Sequence, residues 1–228
     1  MTPLKPIRLA ALLAGVVLPA FALTGPATAA DLDVTGISAP AEYQSPWQIR
    51  VRGLGVVTED EGYVDGVIGS GLSYSDTVVP ELDISYFFTD NIAAELILGT
   101  TYANVKGDGS LTSMGRIGKT WMLPPTLTLQ YHFTDFGAFK PYVGAGGTYA
   151  IFYSQDADGV DDPDIENTFG ATLQVGFDYM LDEHWGWNVD VKKIFLEPDF
   201  DVVVGGTKLS GKAKLNPWLI GTGVTYRF

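Results

Sequence analysis

From Trp47 onward the chain alternates between apolar and polar positions. The clearest stretch is 123–153. Leu127, Leu129, Tyr131 and Phe133 fall on one parity, and Thr126, Thr128, Gln130 and His132 on the other. After Thr134–Gly137, Val143, Ala145, Tyr149, Ile151 and Tyr153 share a parity, opposed by Tyr142, Gly144, Gly146 and Thr148. Period-two alternation is a strand signal, because successive side chains of a strand point to opposite faces. The intervening Thr-Asp-Phe-Gly supplies turn chemistry, so the stretch reads as a hairpin with one apolar face and one small or polar face.

The same pattern recurs. A first strand over 47–57 sets Ile49, Val51 and Val57 against Gln48, Arg50 and Arg52. A second over 78–88 sets Leu82, Ile84, Tyr86 and Phe88 against Asp83 and Ser85. A third over 92–102 opposes Leu96 and Leu98 to Glu95. Beyond the hairpin, 169–181 opposes Leu173, Val175, Phe177 and Tyr179 to Thr172, Gln174 and Asp178. A strand from Trp185 opposes Trp187, Val189 and Val191 to Asn188, Asp190 and Lys192. The last, 215–228, opposes Trp218, Ile220, Val224, Tyr226 and Phe228 to Thr225 and Arg227. The stretches 59–76, 104–119, 154–167 and 200–211 are Gly-rich, acidic or without period, and read as long loops. Residues 89–91, 134–137 and 182–184 read as short turns.

Eight strands with long connections alternating with short ones predict an all-β fold. It is an eight-stranded antiparallel transmembrane β-barrel with four long extracellular loops and three short periplasmic turns. Strands of ten residues or so suit a tilted crossing of the bilayer. Closure of the last strand on the first removes the edges that lipid cannot satisfy. Aromatics gather at strand ends (Trp47, Tyr86, Phe88, Tyr131, Phe133, Trp185, Trp187, Tyr226, Phe228), as in an interfacial girdle. A soluble barrel around an apolar ligand would be apolar inside and polar outside. The charges here occupy the minority face of strands whose other face is apolar.

The N-terminus assigns the compartment. Lys5 and Arg8 precede an apolar run over 9–23, and Ala27-Thr28-Ala29-Ala30 follows. That is the three-part pattern of a secretory signal peptide, 1–29, cleaved after Ala29 or Ala30. The run is shorter than the roughly 20 residues of a membrane-spanning helix, and Pro19 interrupts it. A periplasmic segment, 30–46, then leads into the barrel at 47–228. Removing Lys5 and Arg8 leaves 12 basic against 27 acidic residues, a formal charge of −15. Such acidity excludes nucleic acid as a partner. The absence of cysteine excludes thiol chemistry and disulfides.

The inward residues Arg50, Arg52, Asp83, Glu95, Gln130, Asp178, Asp190, Lys192 and Arg227 form the expected lumen network. A barrel of eight strands has an interior that side chains can fill, and buried charges must pair, so a structural network is favoured over a polar path. Asp156, Asp158, Asp161 and Asp162 are oxygen ligands of the kind calcium takes, but their spacing matches no EF-hand, and a solvated acidic loop is the simpler reading. No nucleophile and base stand in a recognisable motif, so no enzyme and no cofactor are expected.

Leu123-Pro124-Pro125-Thr126-Leu127 and Pro141-Tyr142-Val143-Gly144-Ala145-Gly146 resemble the signature of the OmpW family of bacterial outer-membrane proteins. So do Gln174-Val175-Gly176-Phe177-Asp178-Tyr179, Asn216-Pro217-Trp218 and the terminal Tyr226-Arg227-Phe228. The resemblance runs from about Trp47 to the end. It implies a barrel in the outer membrane, among lipid and lipopolysaccharide, recognised by the barrel assembly machinery through the C-terminal Phe228. It also implies passive passage of small hydrophobic molecules through an apolar funnel with a side exit into the bilayer. Leu54, Val56, Phe87 and Lys192 are then the candidate channel-lining positions. Lys192 stands where the family's seventh strand would carry an inward Trp that narrows the channel. The alternative is a non-transporting structural or adhesive barrel that acts through its acidic loops.

Overall fold

The computed structural model of the 228-residue chain describes residues 45–58, 61–157, 161–204 and 206–228. The expected signal peptide and residues 30–44 lie outside them. Fifteen strands, numbered β1 to β15 in chain order, make up most of the described residues. Eight of them close into a ring: β1 (Trp47–Val57), β4 (Thr77–Phe87), β5 (Ile92–Gly99), β8 (Thr126–His132), β9 (Phe139–Ala157), β11 (Thr168–Met180), β12 (Trp185–Phe195) and β15 (Trp218–Arg227). Each pairs antiparallel with its neighbours, and β15 returns to β1 through a register running from Gln48–Arg227 to Val57–Trp218.

Burial follows the alternation. β8 reads buried, exposed, buried along its seven residues, with Thr126, Thr128, Gln130 and His132 inside. In β1 the arginines are buried, while Trp47, Val51 and Val57 are exposed. The outside is therefore apolar and the inside polar, the reverse of a water-soluble core, as the hydrocarbon of a bilayer requires. Around the short-turn end the girdle aromatics pack ring against ring in groups. Trp47 meets Tyr86 at 4.9 Å, Tyr86 meets Phe88 at 5.4 Å, and Tyr226 meets Trp185 at 4.7 Å and Phe228 at 4.9 Å. The chain enters at this end: Ser45 N donates to Phe228 O (3.0 Å), and Phe87 N donates to Pro46 O (2.8 Å).

At the opposite end the structure departs from the expected loops. β6 (Thr101–Gly109), β7 (Arg116–Leu123) and β3 (Ser70–Tyr74) join the upper half of β9 in one wall, ordered β9-β7-β6-β3. β10 (Asp161–Ile165), β13 (Asp199–Val204), β14 (Thr207–Lys214) and β2 (Glu61–Val64) form a four-stranded sheet, ordered β10-β13-β14-β2. The long connections are thus largely strands that carry the barrel wall beyond the membrane. Glycine and acidic residues hid them. Outside the bilayer the outer face is solvated, so the apolar-out signal that marks the other strands disappears.

Candidate functional site

The interior is stacked in three levels: a polar vestibule at the short-turn end, a charged plug, and an apolar cavity at the extracellular end.

The plug is built on β1. Arg50 and Arg52 share a face because they are two residues apart, and the register sets them beside Asp83 and Glu81 of β4. Arg50 is fully buried. Its Nη2 and Nε donate to the two oxygens of Asp178 (2.6 and 3.1 Å), and its Nη1 donates to Glu95 (2.5 Å) and Ser85 (3.2 Å). Arg52 pairs with Glu81 (2.9 Å), with Asp83 and with Asp190 (3.5 Å), and donates to Asn188 Oδ1 (2.9 Å). Lys192 Nζ bridges Glu81 (2.8 Å) and Asp190 (2.9 Å). Gln174 Nε2 donates to both Glu95 and Asp190 at 2.9 Å, and Gln130 Nε2 donates to Glu95 at 2.5 Å. Tyr142 donates its hydroxyl to Asp190 (2.8 Å), and the Arg50 guanidinium lies 4.9 Å from its ring centre. Charges so deep are tolerated because each stands in an ion pair, and most carry hydrogen bonds besides; Asp83 is held by its ion pair with Arg52 while its oxygens take no hydrogen bond.

Glycines make room for this. A Cβ on Gly146 would meet the Thr128 backbone at 2.7 Å, and one on Gly176 would meet the Tyr142 ring at 2.6 Å. The small residues in Pro141–Gly147 therefore serve close strand approach and space for the plug. Eight of the nine residues expected in the network lie together. Arg227 stands apart: its guanidinium covers the Phe87 ring at 4.0 Å in the vestibule. Glu81 and Tyr142 were not anticipated, although each has the parity of an inward neighbour. Glu81 is two residues from Asp83, and Tyr142 shares its parity with Gly144 and Gly146.

Above Lys192 lies an apolar layer of Leu54, Val56, Val79, Ala150, Ile194, Leu196, Leu215 and Leu219, capped by Tyr74, Met122 and Phe152. It floors a cavity of about 130 Å³ lined by Val56, Val64, Leu72, Met122, Phe152 and Phe200, among others. Of the four expected lining positions, Val56 faces this cavity and Leu54 lies in its floor. The other two do not meet it. Lys192 is held below the floor by its carboxylates. Phe87 is the last residue of β4, at the short-turn end, because that strand runs away from the extracellular mouth. There it lines the vestibule, a space of about 320 Å³ shared with Asp90, His132, Lys140 and Arg227.

The two histidines are structural here. His132 bonds Gln130 Oε1 (2.9 Å), and His184 bonds Arg227 O (2.7 Å). Of the acidic run, Asp158 lies outside the described residues, Asp161 and Asp162 are described by backbone alone, and Asp156 reaches the cavity rim. Among the described residues no group of three His, Cys, Asp or Glu is arranged to hold a metal.

The backbone ladder of the cavity wall is interrupted beside β5 and β8. β5 and β8 pair up to Ile97–Thr126, and β6 and β7 resume at Thr101–Met122. Between them stand Pro124 and Pro125, which carry no N–H to donate. Thr101 and Met122, on the upper edge of this interruption, both line the cavity.

A closed eight-stranded barrel with a lipid-facing apolar exterior, an aromatic girdle and a charge-filled interior is an outer-membrane β-barrel, and the bacterial outer membrane is where this chain resides. The chain belongs to the OmpW family, whose model matches residues 48–228, and whose members are not enzymes. It is 69% identical over 188 residues to the Sinorhizobium fredii outer-membrane protein y4mB, covering 81% of this chain and 80% of that one. It is 32% identical over 204 residues to outer membrane protein W of Vibrio cholerae, covering 84% and 93%. The crystal structure of OprG from Pseudomonas aeruginosa superposes with a TM-score of 0.72 at 25% identity, covering 82% and 97%.

Proposed function

We propose that the chain is a passive pathway for small hydrophobic molecules across the outer membrane. The observation that carries this reading is the order of polarity along the barrel. The extracellular cavity is apolar, and the plug beneath it is charged and packed. An apolar solute gains by entering the cavity, at about 25 cal/mol per Å² of surface removed from water. It cannot continue along the axis without separating buried ion pairs, at several kcal/mol each. The interruption at Pro124–Pro125 supports a sideways exit, since opening the wall there breaks fewer backbone bonds than anywhere along an intact ladder. The driving force is then transfer into hydrocarbon, and no energy source is required.

The test is uptake of a small apolar compound, and of a polar compound of equal size, by cells lacking the gene and by cells with it restored. Restoration should speed the apolar compound alone. Equal rates for several apolar compounds with and without the gene would overturn the pathway and leave a structural barrel acting through its extracellular strands.

A further inference from the structure

The interruption beside Pro124 and Pro125 is framed by hydroxyl groups. The register runs from Ile97–Thr126 to Thr101–Met122 without an extra residue on either side, so Thr100 stands opposite Leu123 on the upper edge. On the outer face, where Tyr153 is exposed, its hydroxyl meets Thr100 Oγ1 at 2.6 Å. Thr100 belongs to the joint between β5 and β6, whereas Tyr153 belongs to β9, on the far side of β7. The bond therefore crosses β7 and ties the two sides of the interruption together. Thr100 Oγ1 also approaches the Met122 carbonyl there (3.4 Å).

β9 is bent at this point. Three steps from Tyr153 to Asp156 face two from Trp121 to Lys119, and Ser154 takes a left-handed conformation at φ 51°. An extra residue in one strand bends it and re-aims the neighbouring side chains. On the inner side each edge presents a threonine whose hydroxyl already has a partner. Thr101, on the upper edge and in the cavity lining, pairs with Thr77 at 3.0 Å. Thr126, on the lower edge, donates to the Pro124 carbonyl at 3.1 Å, and a row continues from it to Thr148 (2.7 Å) and Thr172 (2.6 Å).

A solute that leaves through this opening parts the Thr100–Tyr153 bond. A hydroxyl both donates and accepts, and it rotates to suit its partner. A hydrocarbon that separates the pair offers nothing in exchange, and polar groups turned toward an apolar neighbour without a hydrogen bond are costly. A solute with a hydroxyl or carbonyl takes over the bond as it passes.

We propose that Thr100 and Tyr153 are the latch of the sideways exit, and that the latch sets a preference. Apolar molecules carrying one hydroxyl or carbonyl leave more readily than hydrocarbons of the same length. This rests on the pathway proposed above and adds the class of solute to it. The apolar cavity receives the hydrocarbon part, and the hydroxyls at the interruption receive the head.

The experiment measures uptake of labelled octane and 1-octanol by cells lacking the gene and by cells restored with wild type or a variant at equal surface amounts. The gene-dependent rate is read for each compound, and the octanol-to-octane ratio is compared between variants, which cancels the different solubilities. Tyr153→Phe keeps the ring and loses the hydroxyl. It should raise the octane rate about fivefold, the worth of one neutral hydrogen bond, and leave octanol within about twofold, so the ratio falls. Thr100→Val should lower the ratio equally, and the double variant no further, because each removes the same bond. Both variants keep the heat-shifted migration of the folded barrel on gels. Thr222→Val removes another outer-face hydroxyl, bonded to Trp187 Nε1 at 2.9 Å, and should leave the ratio unchanged. A wild-type ratio in folded Tyr153→Phe would overturn the latch and leave the pathway standing. An equal fall in Thr222→Val would overturn the assignment to this pair. No gene-dependent uptake of either compound by wild type would overturn the pathway, and the latch with it.

Discussion

Replacing Arg50 by alanine removes the one cation that Asp178 and Glu95 share. In the wild type Asp178 takes two hydrogen bonds from that guanidinium and Glu95 takes a third. In the variant both carboxylates stay buried. Breaking a buried pair from one side costs about 3–5 kcal/mol, chiefly because the remaining charge is left without its counter-ion. The polar neighbours hold the figure to the lower half of that range. Asp178 keeps Asn188 (3.0 Å) and Thr225 (2.5 Å), and Glu95 keeps Gln130 (2.5 Å) and Gln174 (2.9 Å). We expect a loss of about 3 kcal/mol in urea unfolding of the protein refolded into micelles, followed by far-UV circular dichroism. Adding Asp178→Asn to the variant should recover part of the loss, because it removes one orphaned charge. Apolar uptake at equal surface amount should be unchanged, since the plug lies below the solute's route. A loss under about 1 kcal/mol would refute the claim that the network holds the barrel together. A folded Arg50→Ala protein that no longer takes up apolar solutes would refute the claim that it lies off the route.

Three other outcomes follow from the same geometry. Gly176→Val places carbon where the Tyr142 ring and the Val189 carbonyl stand, so the folded fraction should fall sharply on gels that separate folded from unfolded barrel. Phe152→Asp puts a charge into the apolar cavity and should cut apolar uptake several-fold while the barrel still assembles. In the turn between β11 and β12, backbone N–H groups of Trp185 and His184 hold the exposed Asp182 carboxylate below the usual carboxylate range. A depressed value in the folded state means that the turn's stabilisation is present above the unfolded value and is lost as pH falls through the folded one. Carboxyl carbon shifts should therefore titrate with a midpoint below about 3.9, the ordinary value for Asp, and a midpoint at or above it would contradict the turn geometry.

The membrane-spanning part was legible because lipid enforces a simple rule. Each spanning strand needs an apolar outer face, and the interior then takes every polar position. Arg50, Arg52, Asp83, Glu95, Asp178, Asp190 and Lys192 all declared themselves by parity alone. The same rule explains what was missed. Above the bilayer the outer face of β6, β7, β13 and β14 is solvated while the inner face lines the apolar cavity, so the apolar-out pattern is lost and glycine and acidic content suggests loops. Tyr142 stood on the inward parity but was not counted with the polar network, since its hydroxyl bond to Asp190 and the space left for its ring by Gly176 are matters of depth and packing. Parity says which face a residue takes but not its depth. That is why Phe87 was grouped with Leu54 and Val56 though it stands at the other end of the barrel, and why Lys192 was assigned to a channel it lies beneath.

The pathway and the plug make one joint claim: apolar solutes enter from outside and leave through the wall, at the break in the ladder beside Pro124 and Pro125. Replacing both prolines by alanine restores a backbone N–H at each position; the Pro125 backbone faces β9, where its carbonyl accepts from Tyr149 N, so the new donor at 124 is the one on the side of β5 and β6. Uptake of a small apolar compound by cells lacking the gene, restored with wild type or with Pro124→Ala/Pro125→Ala at equal surface amounts, tests it most directly. A several-fold slower rate in the variant, with unchanged heat-shifted migration, is the result this account predicts. Uptake equal to wild type from a folded variant would contradict the sideways exit.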